Sequence, residues 1–432
     1  MTHILAAALQ AVEPGAAVDR HMHRDGDQLI IGDRIYNLSH YQRVLVVGAG
    51  KAGAPMAQAA VNILGNYLTQ ALIIVKEGYE SENANNQKLV ILQAGHPIPD
   101  QRGLAGTQQI IDLLRNTQPN DLVLCLISGG GSALMVSPVE GLSLDNLQSL
   151  TSTLLASGAT INEINTIRKH LSQVKGGNLA RLAAPAHLAT LILSDVVGDP
   201  LDVIASGPTV PDPTSFEETY DILRRYQITT PKITSMLQRR QADIIETPKP
   251  GDSIFKDVHN MIIGSNRQAA QAAILHAQEE GFNTLLLTTY LQGEACQAGK
   301  FLGAIARQLA TTDHPISKPA CIVVGGETTV TLKGDGLGGR NTELALSAVE
   351  EIDGLDNTIL VTLATDGGDG PTDAAGAVIT GKTLARALQL GLTPADFLAR
   401  NDSYHFFEPL GDLLKPGPTQ TNVNDLAFIF ST

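Results

Sequence analysis

The chain has 432 residues, 43% of them hydrophobic and 17% charged, with a formal net charge of −14. That length exceeds one ordinary core and predicts two domains, built mainly of Leu, Ile, Val and Ala because aromatics are scarce and Trp is absent. The acidic balance excludes a general nucleic-acid binder, which presents a basic face, and no apolar stretch approaches membrane-spanning length.

The first residues, MTHILAAALQAVEP, lack a basic segment and soon turn acidic. They read as a surface helix, not a signal peptide. The widely separated Cys125, Cys296 and Cys321 suggest no disulfide or zinc framework. Both features point to a cytoplasmic protein.

Strands are expected over 43–47, 71–75, 89–93, 122–127 and 188–194, and helices over 54–65, 102–116, 144–157 and 161–183. This alternation predicts a doubly wound parallel sheet. A Pro-rich stretch follows Asp195, and the polar segment 238–259 reads as a linker. The pattern then restarts with strands 260–264, 284–288, 320–324, 359–364 and 427–430, and helices 265–281, 294–311 and 341–351. The expected domains are residues 1–240 and 241–432, both α/β, the first Rossmann-like, with the active site in a cleft between them.

Several buried runs end in loops rich in glycine and small polar residues, the positions where an α/β sheet binds anions. Gly48-Ala49-Gly50-Lys51-Ala52-Gly53 matches the dinucleotide fingerprint G-x-G-x-x-G, and Glu77 lies where a ribose-binding acid would sit. Taken alone, the match implies a nicotinamide cofactor. Lys51 points elsewhere, because a full charge over the helix start suits a polyphosphate or a reacting phosphoryl group. Ser128-Gly129-Gly130-Gly131-Ser132 is more restrictive still. Three consecutive glycines carry a large conformational cost, tolerated where a ligand touches backbone.

Asp195 follows a buried strand and is placed to hold Mg²⁺ or accept a hydroxyl proton, or simply to cap a turn. Asn165 to His170, with Lys175, forms the densest basic cluster, a candidate receiver for a substrate carboxylate; His170 reads as a helix-surface or packing residue. Glu327 is a candidate for a metal shell. Arg340 stands at a helix start, where the dipole disfavours a cation, so it implies either an anion or a neighbour such as Asp335 or Glu343. In the loop Asp366 to Asp373, the carboxylates of Asp366, Asp369 and Asp373 either share a cation or serve as turn caps. Finally, Gly376 to Thr383 is a literal G-x-x-x-x-G-K-T match. No buried strand leads directly into it, and it is read as coincidence.

With these blocks in view, the chain resembles the class II glycerate kinases, whose C-terminal part is the MOFRL domain. The resemblance spans nearly the whole length: VLVVGAGKAG, GHPIPD, LISGGGSAL, NTIRKHLSQVKGG, LILSDVVGDPLDVIASGPTVPDPT, GGETTVTLKGDGLGGRNTELAL, ATDGGDGPTDAAGAV and TNVNDLAF. Gly53 stands where alanine is frequent, and Gln420 where glycine usually precedes the last block. The resemblance implies ATP- and Mg²⁺-dependent phosphorylation of D-glycerate to 2-phosphoglycerate, with Lys51, Asp195 and Arg340 central to transfer. On this view Gly48, Gly50, Ser128, Gly129, Gly130, Gly131 and Ser132 hold the nucleotide. Metal ligands come from Asp195, Glu327, Asp366 and Asp369. A monomer or homodimer acting on small molecules, with no nucleic-acid or membrane partner, is expected. The rival expectation is an NAD(P)H-dependent hydroxypyruvate reductase, a label some family members carry.

Overall fold

The computed structural model describes residues 1–79, 87–228 and 246–432. The domain boundary expected at 240/241, and the start of the expected linker, lie outside the described residues. Contacts divide the chain into two compact units. The parallel unit comprises Pro14–Ser194 and Asp199–Ile263, and the mixed unit comprises Met1–Glu13, Asp195–Gly198 and Gly264–Thr432.

In the parallel unit, β1 (Met22–Asp25), β2 (Gln28–Ile31) and β3 (Arg34–Asn37) form a small antiparallel sheet that the sequence pattern did not announce. The main sheet contains β4 (Arg43–Ala49), β5 (Leu68–Lys76), β6 (Leu89–Ala94), β7 (Asp121–Ile127), β8 (His187–Leu193) and β9 (Val258–Gly264). Its order is β6-β5-β4-β7-β8-β9. The pairings β4–β5, β5–β6, β4–β7 and β7–β8 are all parallel. Every residue of β7 is buried, as expected of a strand covered on both faces. The chain winds outward from β4 through β5 to β6, then returns to β7 on the other side of β4. The loops after β4 and β7 therefore open at the topological switch point, the position where such sheets bind ligands.

The strand expected over 260–264 is β9, and it extends this first sheet instead of opening the second. The helix expected over 161–183 divides into Ile161–His170 and Asn178–Ala183. The turn between them carries Lys175 into the interior, where it is 2% exposed. Helices Leu144–Ala156, Ile161–His170 and Phe216–Arg225 each begin with a reciprocal capping box, from Ser143, Thr160 and Ser215. Their apolar faces, including Leu147, Leu150, Ile164, Ile167 and Phe216, pack into one cluster.

In the mixed unit the sheet consists of β10 (Asn283–Glu294), β11 (Ala320–Thr329), β12 (Thr358–Ala364), β13 (Gly376–Thr380), β14 (Leu413–Leu414) and β15 (Asp425–Ser431). Its order is β10-β11-β15-β12-β13-β14. Only β10–β11 is parallel; β15 inserts between β11 and β12, antiparallel to both. Leu302, Ile322, Val324, Phe406, Phe407 and Ile429 lie in its core. The N-terminal helix Thr2–Gln10 buries Ile4, Leu5 and Ala8 and packs on helix Asn266–Glu279, so it belongs to this unit's core despite its place in sequence. Among the described residues no helix is long and apolar enough to cross a membrane.

Candidate active site

The two loops at the switch point differ in what their backbones have left to offer. In the β4 loop, Gly50 N–H donates to the Ile74 carbonyl (3.1 Å), Lys51 N–H to Gly129 (2.8 Å) and Gly53 N–H to Gly50 (3.0 Å). Ala52 N–H donates to Ser128 Oγ at 3.0 Å. A Cβ on Gly48 would lie 2.1 Å from the Leu126 carbonyl oxygen, and one on Gly50 would lie 2.0 Å from Ser128 Oγ. These glycines therefore let β7 and its loop approach closely, and their N–H groups are spent internally. Gly48, Gly50 and Ser128 thus build the scaffold on which the two loops meet. A dinucleotide pyrophosphate needs free N–H groups at this turn, so the fingerprint lacks the donors that give it meaning. Glu77, the candidate ribose acid, pairs with Arg102 at 2.9 Å on the surface.

The β7 loop is the one with free donors. Gly131 N–H turns back to the Ser128 carbonyl (3.1 Å), whereas the N–H groups of Gly129, Gly130 and Ser132 have no acceptor among the described residues. Lys51 stands beside them: a Cβ on Gly130 would lie 3.6 Å from Lys51 Cγ and 2.9 Å from the His96 ring. The Lys51 ammonium has no carboxylate or hydrogen-bond partner among the described residues. Burial, then Lys51 and Lys76, push His96 down to about 4, so it is a neutral imidazole at neutral pH.

Next to this loop lies a cavity of about 380 Å³, lined by His96, Gly130, Ser132, Arg168 and Lys175 and walled by Leu147 and Leu155. The structure sorts the basic cluster around it into two groups. Lys169 is buried between Asp202 (3.2 Å) and Asp212 (3.3 Å). His170, expected on the helix surface or as a packing residue, is buried, with Nε2 2.8 Å from Glu246. Those two are neutralised. Lys175 Nζ donates to the Ser132 and Met135 carbonyls, both at 2.7 Å. Burial, reinforced by Arg168, lowers its pKa to about 7.

The Lys175 shift predicts a pH effect on stability. The native pKa lies below the unfolded one, so the unfolded chain binds the extra proton between about 7 and the ordinary lysine value near 10. Stability attributable to this group therefore rises with pH across that window. Urea unfolding at pH 7 and pH 9.5 should show this gain in the wild type and lose it in Lys175→Met.

In the mixed unit, Arg340 does not meet the partners expected for it. Its Nε and Nη2 donate to the two oxygens of Asp425 (2.5 and 3.1 Å), and Nη1 donates to Glu327 (2.6 Å). Burial opposes its charge, but Asp425 and then Glu327 more than offset that and raise its pKa. A guanidinium has five N–H donors, so two remain after this clamp. Sequence reading missed Asp425, although it lies in the quoted TNVNDLAF block.

Both carboxylate oxygens of Asp369 are engaged at a helix start. One oxygen accepts from Asn341 N–H (3.0 Å), and the other from Thr342 N–H (2.7 Å) and the Thr342 hydroxyl (2.8 Å). It caps helix Arg340–Ala348, and Gly339 is small because Asp369 presses against it: a Cβ there would lie 2.4 Å from the carboxyl carbon. Asp373 pairs with the Lys415 ammonium and accepts from the Tyr404 hydroxyl. Glu327 and Asp366 each keep one oxygen with no partner among the described residues. Asp195 is half-buried two residues beyond β8. Mg²⁺ takes only one or two carboxylates from a protein when phosphates and water complete its shell, so these hard oxygen donors fit it. They form no three-residue cluster of their own among the described residues. In the G-x-x-x-x-G-K-T match, Gly376–Thr380 is β13 itself, paired with β12, and Lys382 is exposed; no phosphate cradle exists there.

Comparisons with known proteins agree with the quoted blocks. A family described as a domain of unknown function, DUF4147, matches residues 1–238, and the MOFRL family matches residues 320–425. The chain is 44% identical to a D-glycerate 2-kinase of Thermotoga maritima, over 89% of each chain. It is 40% identical to a putative hydroxypyruvate reductase of Agrobacterium vitis, over 90% of this chain and 87% of that one. The crystal structure of glycerate kinase from Thermotoga maritima superposes with a TM-score of 0.89 at 40% identity, covering 100% of this chain and 98% of the other.

Proposed function

The chain belongs to the glycerate 2-kinase family with its MOFRL domain, and from that premise we propose how its residues divide the work of moving a phosphoryl group from ATP to D-glycerate. Phosphoryl transfer demands alignment and charge neutralisation far more than covalent chemistry. The observation that carries the reading is the β7 loop, where three N–H groups and an ammonium beside them have no partner among the described residues.

In this reading Gly129, Gly130 and Ser132 donate to phosphoryl oxygens, and Lys51 supplies the positive charge that grows in value as the transferred group separates from its leaving oxygen. The scaffold of Gly48, Gly50 and Ser128 holds that geometry rigid. Asp195 orients the acceptor hydroxyl and takes its proton. Arg340, held by Asp425 and Glu327, keeps two further donors, and its assigned role is to neutralise developing charge. Asp195, Glu327 and Asp366 are the groups that would hold Mg²⁺, which neutralises phosphate charge when bound. The three cysteines are free, as suits a reducing cytoplasm.

The test is product analysis after incubation with ATP, Mg²⁺ and D-glycerate. The expected result is stoichiometric ADP and 2-phosphoglycerate. The reductase reading keeps a parallel assay in place because of the label on the Agrobacterium relative. Oxidation of NAD(P)H by hydroxypyruvate at an enzymatic rate, without glycerate phosphorylation, would overturn the kinase reading. The spent N–H groups of the β4 loop argue against that outcome.

A further inference from the structure

The cavity beside the β7 loop contains a charge that the phosphoryl-binding reading leaves unused. Arg168 lies in the last turn of helix Ile161–His170, where the helix dipole tolerates a cation. Its neighbours Lys169 and His170 both have acidic partners, yet Arg168 has neither an ion pair nor a hydrogen bond among the described residues. Burial lowers its pKa and no carboxylate raises it. The basic group that shares the cavity with it is Lys175, whose Nζ already donates to two carbonyls of the loop segment Ser132 to Met135.

The half-buried Arg168 guanidinium has no counterion among the described residues, and the cavity it lines together with Lys175 is open to a small anion. Phosphoryl oxygens already have Lys51 and the free N–H groups on the Gly130 side. What remains is a planar guanidinium, with a fork of donors that matches the two oxygens of a carboxylate. The remaining wall is neutral: the His96 imidazole, the Ser132 hydroxyl, and the Leu147 and Leu155 side chains.

We propose that Arg168, backed by Lys175, binds the carboxylate of the acceptor acid inside this cavity and so makes a small hydroxy acid, in preference to a neutral polyol, the substrate. The proposal rests on the kinase reading above. It adds a specificity-determining residue that acts on the non-reacting end of the acceptor, while the phosphoryl-binding loop acts on the other.

The test compares wild type, Arg168→Lys and Arg168→Gln with D-glycerate and with its neutral amide, glyceramide, as acceptors for ATP. Loss of a charge-assisted bidentate contact should raise KM for D-glycerate on the order of 100-fold in Arg168→Gln, with KM for ATP within about twofold. Discrimination between acid and amide should collapse with it. Arg168→Lys keeps the charge and the aliphatic stem but not the fork, and should fall between the two; it serves if the glutamine variant fails to fold. An unchanged KM for D-glycerate in a folded variant would overturn the proposal. So would a parallel rise in KM for ATP, which would assign Arg168 to phosphate. A wild type that phosphorylates no glycerate at all would instead sink the kinase reading, so the two failures are distinct.

Discussion

Lys51→Met should lower kcat for ATP-dependent glycerate phosphorylation by at least about 1,000-fold while leaving the protein folded. The magnitude is that of removing a principal charge from a phosphoryl-transfer site. The fold should survive because the Lys51 side chain has no hydrogen bond or ion pair among the described residues. Its structural contribution is the backbone N–H to Gly129, which methionine keeps. Methionine also preserves the stem that packs near Gly130. The measurements are coupled ADP release and a thermal melt. A folded variant with activity within tenfold of wild type would remove Lys51 from the mechanism.

Arg340→Gln should combine two losses that Lys51→Met separates. It removes a charge assigned to the reacting group, so kcat should again fall by about 1,000-fold. It also strands Asp425, which is buried and receives two of its hydrogen bonds from the guanidinium. Breaking one side of a buried pair costs about 3–5 kcal/mol; partial exposure of Arg340 puts the expected loss near the lower figure. Urea unfolding read beside kcat checks both. Arg340→Lys retains charge but cannot hold Asp425 bidentately, so it should recover stability more than rate. A glutamine variant as stable as wild type would show that Asp425 finds another partner, and one with near-normal kcat would confine Arg340 to a structural role.

The contrast between the two glycine loops shows how far the residue pattern reached. Both follow buried strands, both contain closely spaced glycines, and both were placed correctly at the carboxyl edge of the sheet. Nothing in their composition distinguishes a glycine that clears room for Leu126 or Ser128 from one whose N–H faces open space. The same limit applied to the acids. Asp366, Asp369 and Asp373 look equivalent in a chain of glycine and aspartate, but one caps a helix start, one pairs with Lys415, and one retains an open oxygen. His96 escaped notice because its interest lies in burial beside Lys51, a property no local pattern encodes.

Strand assignment failed where pairing partners are distant. Residues 260–264 were readable as a strand but not as the sixth member of the first sheet. Likewise β15 was visible as a short apolar run, with no sign that it would lie between β11 and β12. Periodicity reports the environment of one segment, whereas sheet order depends on which segments collapse together.

The residues alone determined the α/β class and the strand-to-loop junctions, because burial along a strand and glycine at a turn are local requirements written into local sequence; the family and its phosphoryl-transfer chemistry followed from the resemblance of the quoted blocks. Which donors stay free was decided only by tertiary contact. A hydrogen bond spent on a neighbour dozens of residues away, or a charge neutralised by one, removes that group from chemistry. Lys169 and Arg168 are adjacent in the chain; the first is paired by two aspartates and the second by none among the described residues.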